Sequence, residues 1–165
     1  MELTRAERFD ALLADVHVPL ARYLARRTQD SDDVLSETLV VLWRRLDDVP
    51  SDDALPWAYG VAAGCLRNHL RSQRRHLRLV RRIALEPHAP PPASDPALQE
   101  ALAGLSPDDQ ELLRLWAWEG LPPREIAIAL AITPNAASIR LHRATTKLRT
   151  AMVGKDPRPA GQVRA

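Results

Sequence analysis

The 165-residue sequence contains one cysteine, Cys65, which excludes an internal disulfide and any zinc site built from several thiolates. Glycine is scarce as well: six in the whole chain leave little room for a phosphate-cradling loop, and no nucleophile elbow is present. Histidines 17, 69, 76, 88 and 142 show no metal-ligand spacing with acids or with Cys65, so structural or solvent roles are expected for them. Neither an enzyme nor a cofactor or metal protein is expected. No run of eighteen apolar residues exists to cross a bilayer, and the opening MELTRAERFDALL lacks an apolar signal region. A protein without membrane insertion, cytoplasmic by default, is the expectation.

What the chain does have is charge, unevenly placed. Basic and acidic totals are 23 and 21, yet residues 28–66 hold eight acids against two bases, whereas 67–82 hold seven arginines and no acid. The pattern repeats: 86–125 carry eight acids and two bases, and 126–165 carry seven bases and the single acid Asp156. Two basic segments, each following an acidic one, suggest two modules with an anion-binding surface apiece.

The boundary between them falls at Glu86 to Pro96, EPHAPPPASDP, where five prolines in eleven residues remove backbone donors and favour extended chain. Elsewhere the apolar spacing is helical, and no stretch alternates with period two for long enough to make a sheet. The reading is an all-α protein of two small helical domains, residues 1–85 and 97–165, joined by the Pro-rich linker 86–96 and closing in a short C-terminal tail. Each domain is expected to fold on its own.

Thr4 and Glu7 form a capping-box pair ahead of Phe9, Leu12, Leu13, Val16, Leu20, Tyr23 and Leu24, with Pro19 expected to kink or interrupt that helix. A second helix starts near Asp30 or Ser31 and buries Leu35, Leu39, Leu42 and Leu46. A third runs from about Ala54 to about Arg82. After the linker, Pro96 to Leu105 gives a short helix, and Ser106-Pro107-Asp108-Asp109 opens another in which Leu112, Leu113, Leu115, Trp116 and Trp118 are mostly buried. Gly120 ends it in a left-handed cap. Two helices then follow three residues apart, Pro122 to Leu130 and one opened by Thr133 and Pro134. This is the helix-turn-helix arrangement that seats a recognition helix in a DNA major groove.

Two sets of residues carry the expected chemistry. Arg67, Arg71, Arg74, Arg75 and Arg78 recur three or four apart with no interleaved acid, a stripe suited to phosphates, although charge runs most often make only a solvated face. Trp57 and Tyr59 are aromatic candidates for stacking on unpaired bases, with core packing an equal reading for Trp57. In the last helix Ala137, Leu141, Ala144 and Leu148 define the buried face and leave Asn135, Ser138, Ile139, His142 and Arg143 opposite. Arg143 suits a bidentate contact to guanine and Ile139 a thymine methyl, while Arg140 and Lys147 suit phosphates.

The segments 32–46 (DDVLSETLVVLWRRL), 56–71 (PWAYGVAAGCLRNHLR) and 120–149 (GLPPREIAIALAITPNAASIRLHRATTKLR), in this order and spacing, resemble bacterial RNA polymerase sigma factors of the extracytoplasmic-function (ECF) class. The resemblance implies that Asp33 and Glu37 face core polymerase. It implies that 56–71, with Asn68 beside the arginines, reads and melts the minus-ten element, and that the helix-turn-helix reads the minus-thirty-five element. Many members of the class are held by an anti-sigma factor, so such a partner joins core polymerase and promoter DNA among the expectations. Gly64 stands where the family usually has a base-reading asparagine, Ala131 where its turn usually has glycine, and Ser138 and Ile139 where a basic and a small polar residue are usual. The alternative is a stand-alone helix-turn-helix regulator of LuxR-like type, which GLPPREIAIALAITPNA also fits.

Overall fold

The computed structural model describes residues 3–80 and 96–153, and both stretches are helical. Linker residues 86–95, Arg81 and Arg82, His88 and the tail from 154 onward lie outside the described residues. Helix α1 (Arg5–Ala25) starts on the expected capping box: the Thr4 hydroxyl oxygen accepts from the Glu7 N–H, and the Glu7 carboxylate accepts from the Thr4 N–H at 2.7 Å. The helix runs through Pro19 without interruption. The proline removes one backbone donor, but Val16, Leu20, Tyr23 and Leu24 around it are fully buried, and that packing outweighs the missing bond.

Helix α2 (Ser31–Arg44) buries Leu35 and Leu42, with Leu39 packed alongside, and a short 3₁₀ turn, Leu46–Asp48, leads to α3 (Ala54–Val80). Asp30 occupies the N-cap of α2 without capping it. Its carboxylate instead meets His69 Nε2 at 3.1 Å and accepts from Gln73, which ties the basic half of α3 to the start of α2.

The second half contains α4 (Pro96–Ala103), α5 (Pro107–Ala117), α6 (Pro123–Leu130) and α7 (Pro134–Val153). Ser106 caps α5 as expected. After α5, Gly120 takes φ 69° and the Leu121 N–H returns to the Leu115 carbonyl at 3.1 Å; after α6, Ala131 takes φ 53° and the Ile132 N–H returns to the Ala127 carbonyl at 2.9 Å. Glycine meets this left-handed turn without a Cβ clash, whereas alanine is strained by it. Ala131→Gly should therefore stabilise the protein by about 1 kcal/mol and raise the melting temperature by about 2–4 °C. An unchanged or lower melting temperature in a thermal scan would show that Ala131 carries no such strain.

The two halves meet directly. One cluster of buried side chains runs from Leu12, Val16, Leu20 and Tyr23 through Ala58 and Ala62 to Leu112, Leu115, Ile126 and Ala137. A smaller cluster, Leu105, Leu113 and Ala144, holds α7 against α4 and α5. Trp116 and Trp118 correct the sequence reading: both are 47% exposed, because α5 buries only the side that carries Leu112, Leu113 and Leu115.

Candidate nucleic-acid interface

Along the second half of α3, Arg67, Asn68, Arg71, Arg74, Arg75 and Arg78 are exposed, and among the described residues no carboxylate forms an ion pair with any of these arginines. His69 and Gln73, on the side turned to Asp30, fix the helix so that the arginines stand in solvent. The result is an uncompensated positive ridge about three turns long.

The aromatic pair near the start of α3 divides. Trp57 is half-buried, with the Arg45 guanidinium 4.9 Å from its ring centre. Tyr59 is 4% exposed and packs on Tyr23 with ring centres 5.1 Å apart, so it cannot stack on a base in this arrangement. That corrects the expectation from sequence. Tyr59 faces inward because Ala58, Tyr59, Ala62 and Leu66 line the side of α3 that enters the core. Gly64 faces open space, since a Cβ there would meet nothing within 4 Å.

On α7 the sequence assigned the faces correctly. Thr133 caps the helix by accepting from the Ala136 N–H at 3.1 Å, Ala137 and Ala144 are buried, and Leu141 and Leu148 pack on the core beside them. Asn135, Ser138, His142, Arg143 and Lys147 are exposed, and so is the apolar Ile139, at 43%. The Ser138 hydroxyl donates back to the Pro134 carbonyl at 3.0 Å, which leaves its oxygen turned outward as an acceptor. Arg140 departs from the expected phosphate set. Its guanidinium lies on Asp109 of α5 at 2.9 Å and joins the two helices. Burial pushes the Asp109 carboxyl up, but hydrogen bonds from Arg140 and Ser106, with the charges of Arg140 and Lys147, outweigh it and hold the group below the usual carboxylate range.

The acidic side of α2 is a third surface. Asp32, Asp33 and Glu37 are exposed, and Val40 and Trp43 stand exposed on the continuation of the Asp33–Glu37 row. Trp43 is held edge-on by Phe9 at 5.1 Å, with the Arg5 guanidinium 5.3 Å from its ring. An apolar strip beside acids is a surface suited to a protein partner. Val40 was not singled out from sequence, although its spacing of three from Glu37 places it there.

Comparison with known proteins follows the same division of the chain. Residues 9–76 match the family model described as sigma-70 region 2, and residues 96–148 that described as sigma-70, region 4. The chain is 35% identical over 144 residues to RNA polymerase sigma factor CarQ of Myxococcus xanthus, covering 81% of this chain and 83% of that protein. Among solved structures, CnrH in complex with the cytosolic domain of CnrY is similar with a TM-score of 0.58 and 25% identity, over 90% of this chain and 89% of that one. The sigma factor RpoE in complex with the anti-sigma factor NepR, from Bartonella quintana, shares the fold with a TM-score of 0.57 at 19% identity, over 90% of this chain and 94% of the other.

Proposed function

Because the chain belongs to the sigma-70 family, as an ECF-class sigma factor that directs RNA polymerase to promoters and catalyses nothing itself, we propose which of its surfaces carries each part of that work. The exposed face of α7 reads the minus-thirty-five element: Arg143 by a bidentate contact to guanine, Ile139 by packing on a thymine methyl, and Asn135, Ser138 and His142 beside them, with Lys147 on a phosphate. Arg140 is left out of this set because it pairs with Asp109. The arginine ridge of α3, with Asn68, follows the backbone around the minus-ten element, and the Asp33–Glu37–Val40 face of α2 meets core polymerase. The observation that carries the reading is an exposed basic helix face in each half, on which neither the arginines of α3 nor Arg143 and Lys147 of α7 form an ion pair among the described residues. A cytoplasmic location belongs with it, and no described helix is long and apolar enough to cross a membrane. The RpoE complex with NepR supports an anti-sigma partner for this chain as well. The LuxR-type alternative has no support, since residues 9–76 match region 2 and are helical throughout their described elements.

The test separates reading from holding. Arg143→Ala should cost about 1–3 kcal/mol and relax preference at one minus-thirty-five position, while Lys147→Ala should weaken every sequence alike and reduce the salt slope by about one. A binding-site selection series with the polymerase complex distinguishes them. Equal loss on all sequences for Arg143→Ala would move that arginine from the base-reading set to the phosphate set.

A further inference from the structure

We propose that Asp109 sets the promoter discrimination of the helix-turn-helix: by holding Arg140 against α5, it keeps one cation of α7 off the DNA backbone. The proposal rests on the reading above that α7 meets the minus-thirty-five element.

The bases of α7 are not equivalent. Arg143, Lys147 and Arg149 are exposed, whereas Arg140 is half-buried. It lies at the edge of the packed face, three residues after Ala137 and four before Ala144, both of which are buried. Lys147 follows Arg140 by seven residues, two turns of helix, and stands on the same side about 10 Å further along. Since Lys147 is the residue assigned to a phosphate, an unpaired Arg140 would face the same stretch of backbone.

Asp109 prevents this. Arg140 donates to one carboxylate oxygen of Asp109 twice, from Nε at 3.2 Å and from Nη2 at 2.9 Å, and the two side chains are only 30% and 22% exposed. Asp109 is itself fixed in the first turn of α5, where its N–H donates to the Ser106 hydroxyl oxygen at 3.2 Å. Lys147 acts on the same carboxylate, and its charge helps to keep Asp109 ionised. One acid on α5 therefore cancels one positive charge on the rim of α7 and moderates a second.

Cancelling that charge favours discrimination. A phosphate contact carries no sequence information and is offered by every DNA fragment. On a wrong sequence nothing fixes the register of α7, so a free arginine can settle on whichever phosphate lies nearest. On the right sequence the base contacts of Arg143 and Ile139 fix the register, and Arg140 has less freedom to find a phosphate. Freeing Arg140 thus strengthens wrong complexes more than the right one, and specificity is the difference between the two. A merely structural tie between α5 and α7 has the opposite signature, because its loss weakens binding to every sequence.

The test is filter binding of the complex of core polymerase with the full chain, across a salt series. One fragment carries the minus-thirty-five sequence selected by the wild type, and the other has those bases scrambled. Asp109→Asn should bind the scrambled fragment more tightly at low salt and steepen the salt slope there by about one, so that a fourfold rise in salt weakens it about threefold more than the wild type. Its gain on the selected fragment should be smaller, so the ratio between fragments falls. Asp109→Glu, which keeps the charge, should behave as the wild type. Asp109→Asn with Arg140→Gln removes a pair of no net charge and should also return both fragments to wild-type binding. Weaker or unchanged binding of the scrambled fragment by Asp109→Asn would overturn the proposal. So would a double variant that keeps the gain, which would make the bare acid and not Arg140 responsible, or one whose slope falls by about one, which would put Arg140 on a phosphate already. The double variant decides alone if Asp109→Asn loses its helical circular dichroism. Lys147→Ala separates this proposal from the reading beneath it: a lowered slope for Lys147→Ala with no gain for Asp109→Asn overturns the role of Asp109 only, and an unchanged slope for Lys147→Ala overturns both.

Discussion

Replacing Arg71, Arg74, Arg75 and Arg78 together by glutamine should lower the salt slope of promoter binding by about three to four, since each phosphate neutralised on DNA contributes about 0.9. A fourfold rise in salt should then weaken the wild type about 10²-fold more than the variant. The effect is large because the four guanidinium groups are exposed and no described carboxylate pairs with them, so their charge is available to the DNA backbone. Folding should be unaffected, because none of the four enters the core. The check is filter binding of the polymerase complex across a salt series. Equal slopes for variant and wild type would make the ridge a solvated face and nothing more.

That ridge was legible in the sequence, and the reason is local. Spacings of three and four place residues on one side of a helix whatever surrounds it, so the arginines of α3 and the Ala137–Leu141–Ala144–Leu148 face of α7 could be assigned before any contact was known. The caps at Thr4, Ser106 and Thr133 were legible for the same reason, since each acts within one turn. What failed lies between elements. Tyr59 reads as an exposed platform until Tyr23 of another helix is laid against it, and Arg140 reads as a phosphate ligand until Asp109, 31 residues earlier, takes its guanidinium. Arg27, which pairs with Glu111 and Glu119, carries no signal of its own, because these acids are 84 and 92 residues away. Trp116 and Trp118 failed in the opposite direction: an apolar side chain is not obliged to be inside, and α5 had already buried the side it needed.

Ile126→Ala should cost about 2–5 kcal/mol of stability, the largest effect expected of a single side chain in the helix-turn-helix. Ile126 is fully buried in the cluster that both halves share, so truncation leaves a cavity that α3 and α6 cannot both close onto. Chemical denaturation followed by circular dichroism gives the value. A loss below about 1 kcal/mol would mean that the site collapses freely and that α6 is not held by this packing. The same variant should lose minus-thirty-five binding in proportion to its unfolding, since α6 supports the turn that carries α7.

The surfaces proposed above share one expected outcome, that initiation by a polymerase depends on this chain. The most direct test is transcription in vitro with purified core polymerase on a set of promoter fragments, with and without the protein. Transcripts are expected from a subset of fragments only when the chain is present, lost in the four-arginine variant and shifted in promoter preference by Arg143→Ala. Transcription by core polymerase that is unchanged by the chain on every fragment would contradict it.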